Sequence, residues 1–162
     1  NIAPDLRAKA DIVQNAIDLA ISLGMQMPKV AVLSAVETVN PDLPSSTDAA
    51  LLTRMADRGQ IKGGLVDGPL AMDNAMSIAA ARSKGITGPV AGHAEILVAP
   101  DLDAGNMLAK QLTYVAGAEG AGIVLGAACP IILTSRADGE KARLASAAVA
   151  ALHWARLAAV SA

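Results

Sequence analysis

The chain alternates short, solidly apolar segments with amphipathic ones, and this alternation constrains its fold more than any other feature. The patterns between the short segments are helical and cover 5–23, 49–57, 70–84, 103–115 and a stretch from 138 to beyond Trp154. The short apolar segments themselves are 29–34, 61–66, 96–99, 123–125 and 130–134. Apolar strands that alternate with helices predict an α/β fold with a mainly parallel sheet and helices on both faces.

Local signals predict where several of these elements begin and end. Asp67-Gly68-Pro69 predicts a turn between the strand 61–66 and the helix 70–84. Ser46 or Thr47 is the expected N-cap of the second helix. The last helix is expected to bury one apolar face, which is formed by Leu144, Ala148, Ala151, Leu152 and Ala155.

The composition argues against several classes of function. Only 1% of the residues are aromatic, which leaves little for stacking on single-stranded nucleic acid. The net charge is −2 and the 13 basic residues are scattered, so neither nucleic acid nor an anionic membrane surface is an expected partner. One cysteine cannot form an internal disulfide, no apolar run is long enough to span a bilayer, and no signal peptide is evident. We therefore expect a cytoplasmic protein.

Metal and nucleotide-loop motifs are not evident. His93 and His153 belong to no constellation with metal-ligand spacing, so no metal is expected. The glycine-rich segment 117–126 lacks the Lys-Ser/Thr ending of a phosphate-binding loop, and we interpret it as close packing around a strand. In an open α/β sheet, ligands bind beyond the carboxyl ends of the strands, so the residues that follow the strands are the candidates for chemistry.

Several of those segments resemble the phosphate acetyltransferase and phosphate butyryltransferase family. The resemblance rests on an ordered set of motifs, namely Leu33 to Asn40 (LSAVETVN), Val66 to Asp73 (VDGPLAMD), Pro100 to Asn106 (PDLDAGN) and Pro130 to Arg136 (PIILTSR). It covers the chain from about Lys29 to the last helix. Within the family, the first and last motifs are more similar to butyryltransferases, and to acyltransferases fused to enoyl-CoA hydratase domains, than to the short acetyltransferases.

The resemblance implies a two-domain protein of about twice this length. Members of the family have a fold related to isocitrate dehydrogenase, an active site between two α/β domains, and a homodimer formed largely through the second domain. Residues 1–127 would then be the second domain, and 128–162 the strand and helix that return to the first domain, whose N-terminal part is missing. The absence of an initiator methionine likewise leads us to expect a processed, proteolysed or partial chain. We expect it to be inactive alone, because the implied cleft needs the other domain.

The implied reaction exchanges an acyl group between acyl phosphate and coenzyme A, with coenzyme A and phosphate as partners. Arg136 is the expected cation on the acyl phosphate, since a guanidinium stays charged and donates two parallel hydrogen bonds. Ser135 would hydrogen-bond the thiol, the phosphate or the carbonyl oxygen. By position alone, Arg136 could be a solvated charge and Ser135 an ordinary residue at the end of a strand.

The general base is left open. The acetyltransferase branch has an aspartate seven positions after the signature serine, and that position is Ala142 here. The nearest carboxylates are Asp138 and Glu140. Asp138 is a candidate catalytic base, although capping of the last helix is its expected structural role. The remaining alternative is that the local field and hydrogen bonds alone lower the pKa of the thiol.

Five further positions are candidates for substrate binding. Gly105, Asn106 and Lys110 lie at the start of a helix, where exposed amides and the helix dipole favour a phosphate of coenzyme A. An ordinary first helical turn with a surface lysine is the alternative. Ser34 and Asp67 follow or end strands that point toward the expected cleft, although Asp67 could also be a simple turn residue.

Two other functions remain open. The chain could be a regulatory, dimerising domain that binds acyl-CoA without transfer, like the domain fused to some malic enzymes. Ser135-Arg136 argues against this function, and Ala142 argues for it. The metal-dependent decarboxylating dehydrogenase branch of the same fold is a third alternative, but it needs clustered aspartates, and Asp67 with Asp73 does not supply them.

Overall fold

Three parallel strands form the central sheet of the structure, a computed structural model that describes residues 1–160. They are β1 (Lys29–Leu33), β2 (Leu65–Leu70) and β3 (Ile96–Val98), with β1 in the middle. Val30 of β1 pairs with Val66 on one side and, on the other, with the first residue of β3. All three strands end at the same edge of the sheet, because they are parallel.

Six helices and a separate two-stranded hairpin complete the described chain. The hairpin pairs β4 (Ile123–Val124) with β5 (Ile131–Ile132) and is antiparallel, so the predicted parallel sheet extends only over β1 to β3. None of the helices within residues 1–160 is long and apolar enough to cross a membrane. The helices are α1 (Leu6–Ser22), α2 (Pro44–Asp57), α3 (Met72–Met76), α4 (Ile78–Ser83), α5 (Leu102–Tyr114) and α6 (Glu140–Val160).

The central strand has a buried core on each side, because successive side chains in a strand point to opposite faces. Val30 and Val32 lie in the core formed with α1 and α2. Ala31 and Leu33 lie in the opposite core, where α3 and α4 contribute alanines and Leu108 of α5 packs against them. The predicted α/β fold with helices on both faces of the sheet is therefore confirmed.

The second strand lies later in the chain than predicted. The prediction placed a strand at 61–66 and a turn at Asp67-Gly68-Pro69, but these three residues continue β2 to Leu70. Proline is tolerated because β2 is an edge strand, which needs no N–H donor on its free side. Gly68 is required because a Cβ there would lie 2.8 Å from the carbonyl oxygen of Val32. Residue types that usually form turns are therefore part of an edge strand here.

The single helix predicted at 70–84 is two short helices. Ser77 interrupts it with an extended backbone (φ −121°, ψ 117°), and its Oγ accepts the Ala80 N–H at 3.3 Å. Serine competes for backbone donors in this way, which makes it a good N-cap and a poor interior residue. The prediction missed this because the apolar periodicity continues across Ser77.

The N-cap predicted for α2 is also wrong. The helix begins at Pro44, whose fixed φ suits the first helical position, after Leu43 as N-cap. Ser46 is fully buried, and its Oγ donates to the carbonyl oxygens of Asn40 and Leu43 at 2.9 Å while accepting the Asn40 N–H. The serine therefore closes the loop before the helix instead of capping the helix.

The face of α6 predicted to be buried is exposed. Leu144 is 70% exposed and Leu152 is 53% exposed, and the three alanines of the predicted face are exposed with them. The buried residues are instead Ser146, Ala150 and His153, and His153 Nδ1 lies 2.9 Å from Ser22 Oγ on α1. Small and polar side chains let α6 approach its neighbours, whereas the larger apolar ones face outward.

Candidate functional site

A large groove lies between α5 and α6. Its volume is about 830 Å³, within the range of small-molecule and cofactor sites. One wall is formed by α5, and the other by residues 133–135, residues 137–139 and the first turns of α6. Residues 118–122 also line it. We call this cavity the α5–α6 groove.

Helix α5 presents polar groups to the groove at helical spacing. Asp101 caps the helix, its Oδ1 accepting the Ala104 N–H at 2.8 Å. Asn106, Lys110 and Tyr114 follow at intervals of four residues and all line the groove. Lys110 Nζ lies 5.4 Å from the centre of the Tyr114 ring, within reach of a cation–π contact. A cation and an exposed aromatic ring are therefore available together.

Gly105 faces away from the α5–α6 groove. It lines a smaller cavity of about 300 Å³ with Asp101, and Asn106 borders both cavities. A Cβ at Gly105 would lie 3.4 Å from the Ala99 Cβ, which is an ordinary van der Waals contact, so the packing here does not require a glycine. Gly105 therefore does not line the α5–α6 groove with Asn106 and Lys110.

Ser135 and Asp138 enter the groove from the opposite wall, after β5. The Asp138 N–H donates to the Ser135 carbonyl oxygen at 3.0 Å, which closes a four-residue turn. The Ser135 N–H donates to Asp138 Oδ2 at 2.7 Å. The sequence position of Asp138 suggested that it caps α6, but it does not. It links both ends of the turn instead.

Arg136 occupies the second position of this turn. Its side chain is exposed and has no hydrogen bond or ion pair with any residue in the described part of the chain. Both of its chain neighbours, Ser135 and Ala137, line the α5–α6 groove, but Arg136 itself does not. The exposed guanidinium thus has no protein partner within residues 1–160, and no contact places it in the groove.

Ala142 lines the same groove from the first turns of α6. The next helical turn is fixed by Ser146, whose buried Oγ donates to the Ala142 carbonyl oxygen at 2.7 Å and accepts the Gly122 N–H at 2.9 Å. A side chain longer than that of alanine at position 142 would therefore extend from a firmly anchored part of the helix.

Ser34 lies outside the α5–α6 groove. It directly follows β1, and its N–H donates to the Leu70 carbonyl oxygen at 2.9 Å. Its side chain is buried, with its Oγ 2.9 Å from Ser45 Oγ. These contacts tie the end of β1 to β2 and α2, which is a structural role for the hydroxyl.

Asp67 borders a different cavity, about 450 Å³ in volume, beside the free edge of β2. Burial raises the pKa of its carboxyl group above 3.8, the Gly68 N–H opposes this by stabilising the carboxylate, and the charge of Asp57 adds to the rise. Asp67 lies within β2 and not in the predicted turn, and the structure does not bring it to the other predicted site residues.

We expect Asp67→Asn to stabilise the protein at neutral pH, raising Tm by no more than a few degrees. Because the folded-state pKa of Asp67 is raised, its ionised form opposes folding at neutral pH. This opposition weakens as pH falls through the folded-state pKa toward 3.8, so the advantage of the amide should vanish there. Thermal unfolding at several pH values measures it, with Asp42→Asn, an exposed loop residue, as the control. Destabilisation at pH 7 would contradict the prediction.

A charged cluster at the ends of β1 and β2 was not predicted. Lys84 Nζ lies 3.2 Å from Glu37 Oε2 and 3.0 Å from Asp73 Oδ2. The hydrogen bond from Lys84 lowers the pKa of Asp73, and the hydrogen bond to Asp73 raises the pKa of Lys84. The three residues lie far apart in the sequence, and nothing in their spacing signals the cluster. Since Lys84 is already paired with carboxylates, it is a poor candidate for binding phosphate.

Three groove residues were also missed. Tyr114, Lys141 and Glu119 line the α5–α6 groove, and Lys141 Nζ is paired with Glu119 Oε1. The spacing of Asn106, Lys110 and Tyr114 could have identified the tyrosine. No group of three or more His, Cys, Asp or Glu side chains within 1–160 is arranged to hold a metal ion.

Comparisons with known proteins identify the family. The sequence profile described as Phosphate acetyl/butaryl transferase matches residues 1–151. The chain is 64% identical over 156 residues to phosphate acetyltransferase of Rhizobium meliloti, covering 96% of this chain and 49% of the relative. It is 49% identical over 152 residues to phosphate butyryltransferase of Clostridium acetobutylicum, covering 94% of this chain and 50% of the relative.

A solved structure agrees with these matches. The branched-chain phosphotransacylase from Enterococcus faecalis V583 superposes with a TM-score of 0.83 at 40% identity, over 94% of this chain and 55% of that structure. The chain thus spans about half the length of the curated relatives that it matches. By sequence and by structure, it belongs to the phosphate acetyl/butyryl transferase family.

Proposed function

We propose that the protein containing this chain exchanges an acyl group between acyl phosphate and coenzyme A. One observation carries the proposal: the α5–α6 groove joins the Ser135 turn to Asn106 and Lys110, segments separated by about 30 residues in a chain of this family. A turn with a free guanidinium suits an acyl phosphate, and a lysine beside an exposed ring suits a phosphorylated nucleotide such as coenzyme A.

The reaction needs few groups from this chain. The sulfur of coenzyme A attacks the acyl carbonyl carbon, the carbon–oxygen bond to phosphate breaks, and the phosphate leaves with the electron pair. The thiol proton passes to a base or to the leaving phosphate. Arg136 would neutralise the phosphate as its charge grows, which lowers the barrier more than it strengthens ground-state binding.

Ser135 has a hydroxyl proton available for the reaction. The Ser135 Oγ accepts the Ala137 N–H at 3.4 Å. Within residues 1–160, no group accepts the hydroxyl proton of Ser135. The hydroxyl can therefore donate to the carbonyl oxygen or to a phosphate oxygen while its backbone is held by the turn. This supports a role at the reacting atoms over a purely local one.

For Asn106 and Lys110 we propose binding of coenzyme A. Both line the groove from α5, one helical turn apart, and Lys110 has no carboxylate partner among the described residues. Tyr114 widens the same surface with a ring that is 64% exposed. The lysine would hold a phosphate and the ring could contact the base. Gly105, Ser34 and Asp67 receive structural roles in this proposal.

We further propose that residues 1–127 form one domain and that 128–162 belong with a further part of the protein. Four large apolar side chains of this second segment support the proposal, because they are at least half exposed: Leu133, Leu144, Leu152 and Trp154. By analogy with the family we also propose a cytoplasmic homodimer. The choice between acetyl and butyryl groups would depend on the remaining part of the cleft.

The direct test is acyl transfer by the polypeptide that the complete reading frame encodes. We expect loss of free coenzyme A thiol with acetyl or butyryl phosphate, together with stoichiometric release of phosphate. Residues 1–162 alone should not consume acyl phosphate, because in this proposal a further part of the protein completes the active-site cleft. Turnover by the short chain would refute that requirement, and no transfer by the complete polypeptide would refute the function.

A second candidate function is binding of acyl-CoA without transfer. Ala142 favours it, because it lines the groove at the position where the acetyltransferase branch of the family has an aspartate. The same assay separates the two functions. A regulator would bind acyl-CoA and leave acyl phosphate intact, whereas a transferase consumes acyl phosphate only when coenzyme A is present.

A further inference from the structure

The turn that carries Arg136 is closed twice by a single residue. The backbone of Asp138 donates to the Ser135 carbonyl oxygen at 3.0 Å, and the Asp138 carboxylate accepts the Ser135 N–H at 2.7 Å. The two bonds join the same pair of residues from opposite sides. Arg136 and Ala137 are the two residues enclosed, so the backbone from which the Arg136 side chain projects depends on this closure.

The two bonds differ in what they require from residue 138. The backbone bond can be made by any residue type except proline, but the bond to the Ser135 N–H needs a short side chain with an acceptor oxygen. A charged acceptor shortens and strengthens such a bond, in keeping with the 2.7 Å distance. Asp138 is partly buried, whereas Ser135 and Arg136 are exposed, so the aspartate is the anchored member of the turn.

We propose that Asp138 is a positioning residue, which holds Ser135 and Arg136 toward the acyl phosphate, and not the base that deprotonates the thiol. This inference rests on the proposed acyl transfer. One carboxylate oxygen is already committed to the Ser135 N–H, and full proton transfer to Asp138 would weaken the bond that holds the turn. A base that loosened the phosphate-binding turn at the moment of attack would oppose the reaction.

Substitution separates the two roles. In Asp138→Asn the amide oxygen can still accept the Ser135 N–H, but the side chain no longer acts as a base. In Asp138→Ala both abilities are lost. For a positioning residue, kcat in the complete polypeptide should fall about 10- to 100-fold in the alanine variant and no more than about threefold in the asparagine variant. Glu140→Gln, an exposed carboxylate outside the groove, is the control.

The pH profile provides the second kinetic readout. A positioning role predicts that Asp138→Asn leaves the pH dependence of kcat/KM unchanged. If Asp138 is the base, the asparagine variant should be as slow as the alanine variant, and the limb of the profile that reports the base should disappear. Either of these results would overturn the inference.

A readout independent of activity is exchange of the Ser135 amide hydrogen with solvent in the complete polypeptide, followed by NMR. We expect protection in the unsubstituted chain and in Asp138→Asn, with faster exchange in Asp138→Ala. No protection in the unsubstituted chain would overturn the inference. Loss of transfer in Asp138→Asn with a protected Ser135 amide would overturn it while leaving the proposed function intact. No transfer by the unsubstituted complete polypeptide would overturn both.

Discussion

Replacing Arg136 with alanine is expected to slow acyl transfer about 100- to 1,000-fold in the complete polypeptide. The guanidinium is the only cation in the turn that closes one wall of the groove, and its side chain has no partner elsewhere in residues 1–160. Its removal therefore leaves growing charge on the leaving phosphate unmatched, and no structural ion pair is broken. Steady-state kinetics with acetyl phosphate and with butyryl phosphate measure the effect.

Three further variants make this result specific. Arg143→Ala removes an exposed arginine from α6 that does not line the groove, and it should leave kcat within about twofold. Lys110→Ala should mainly raise KM for coenzyme A, because its proposed contact is with that substrate. Arg136→Lys should recover only part of the rate, since an ammonium cannot reproduce two parallel hydrogen bonds. An unchanged rate in Arg136→Ala would remove Arg136 from the mechanism.

The largest expected effect on stability comes from Leu52→Ala. Leu52 is fully buried where α2 packs on the sheet, in the core that contains Val30 and Val32. Truncation should cost about 2–5 kcal/mol, since both the buried apolar area and the packing around it are lost. For a chain of this size that corresponds to a fall in Tm of roughly 5–15 °C.

Leu51 provides a matched control one residue away. It lies on the same helix but is 49% exposed, so Leu51→Ala should cost less than about 1 kcal/mol. Urea unfolding of both variants under identical conditions measures the difference. Equal destabilisation by the two substitutions would contradict the placement of Leu52 in the core and of Leu51 at the surface.

The sheet was the most predictable part of the fold. Segments 30–33 and 96–98 are continuously apolar, which is typical of short strands covered on both faces of a sheet. β2 was misplaced because Asp67-Gly68-Pro69 carries turn-forming residues, whereas the edge of a sheet also accepts them. Residue preferences can be seen in a short segment. The position of a strand within its sheet depends on strands elsewhere in the chain.

The α6 helix shows why a buried face can be mispredicted. Periodicity favoured the side with Leu144 and Leu152, because burial normally selects the larger apolar side chains. The chain buries Ser146 and His153 instead, each held by hydrogen bonds to other segments. A sequence pattern shows that a helix has two faces, but the contacts that select one face come from residues far along the chain.

The candidate site was predictable only where its residues share a local element. Ser135 was found because it follows a strand, and Asn106 with Lys110 because they begin a helix. Asp138 was found because it is one of the two carboxylates nearest to Ala142, where the acetyltransferase branch has an aspartate. The structure unites these two pairs in one groove, but it separates Ser34 and Asp67, which follow the same strand-end rule. Which strand ends share a groove depends on how α5 and α6 cross, and no single segment encodes that.

The scarcity of aromatic side chains has a spectroscopic consequence. The chain contains one tryptophan, one tyrosine and no phenylalanine. Trp154 lies half exposed on α6 and Tyr114 borders the α5–α6 groove, so neither ring lies in the core of the three-stranded sheet. Intrinsic fluorescence therefore reports ligand entry and the state of α6, while melting of the sheet must be followed by far-UV circular dichroism.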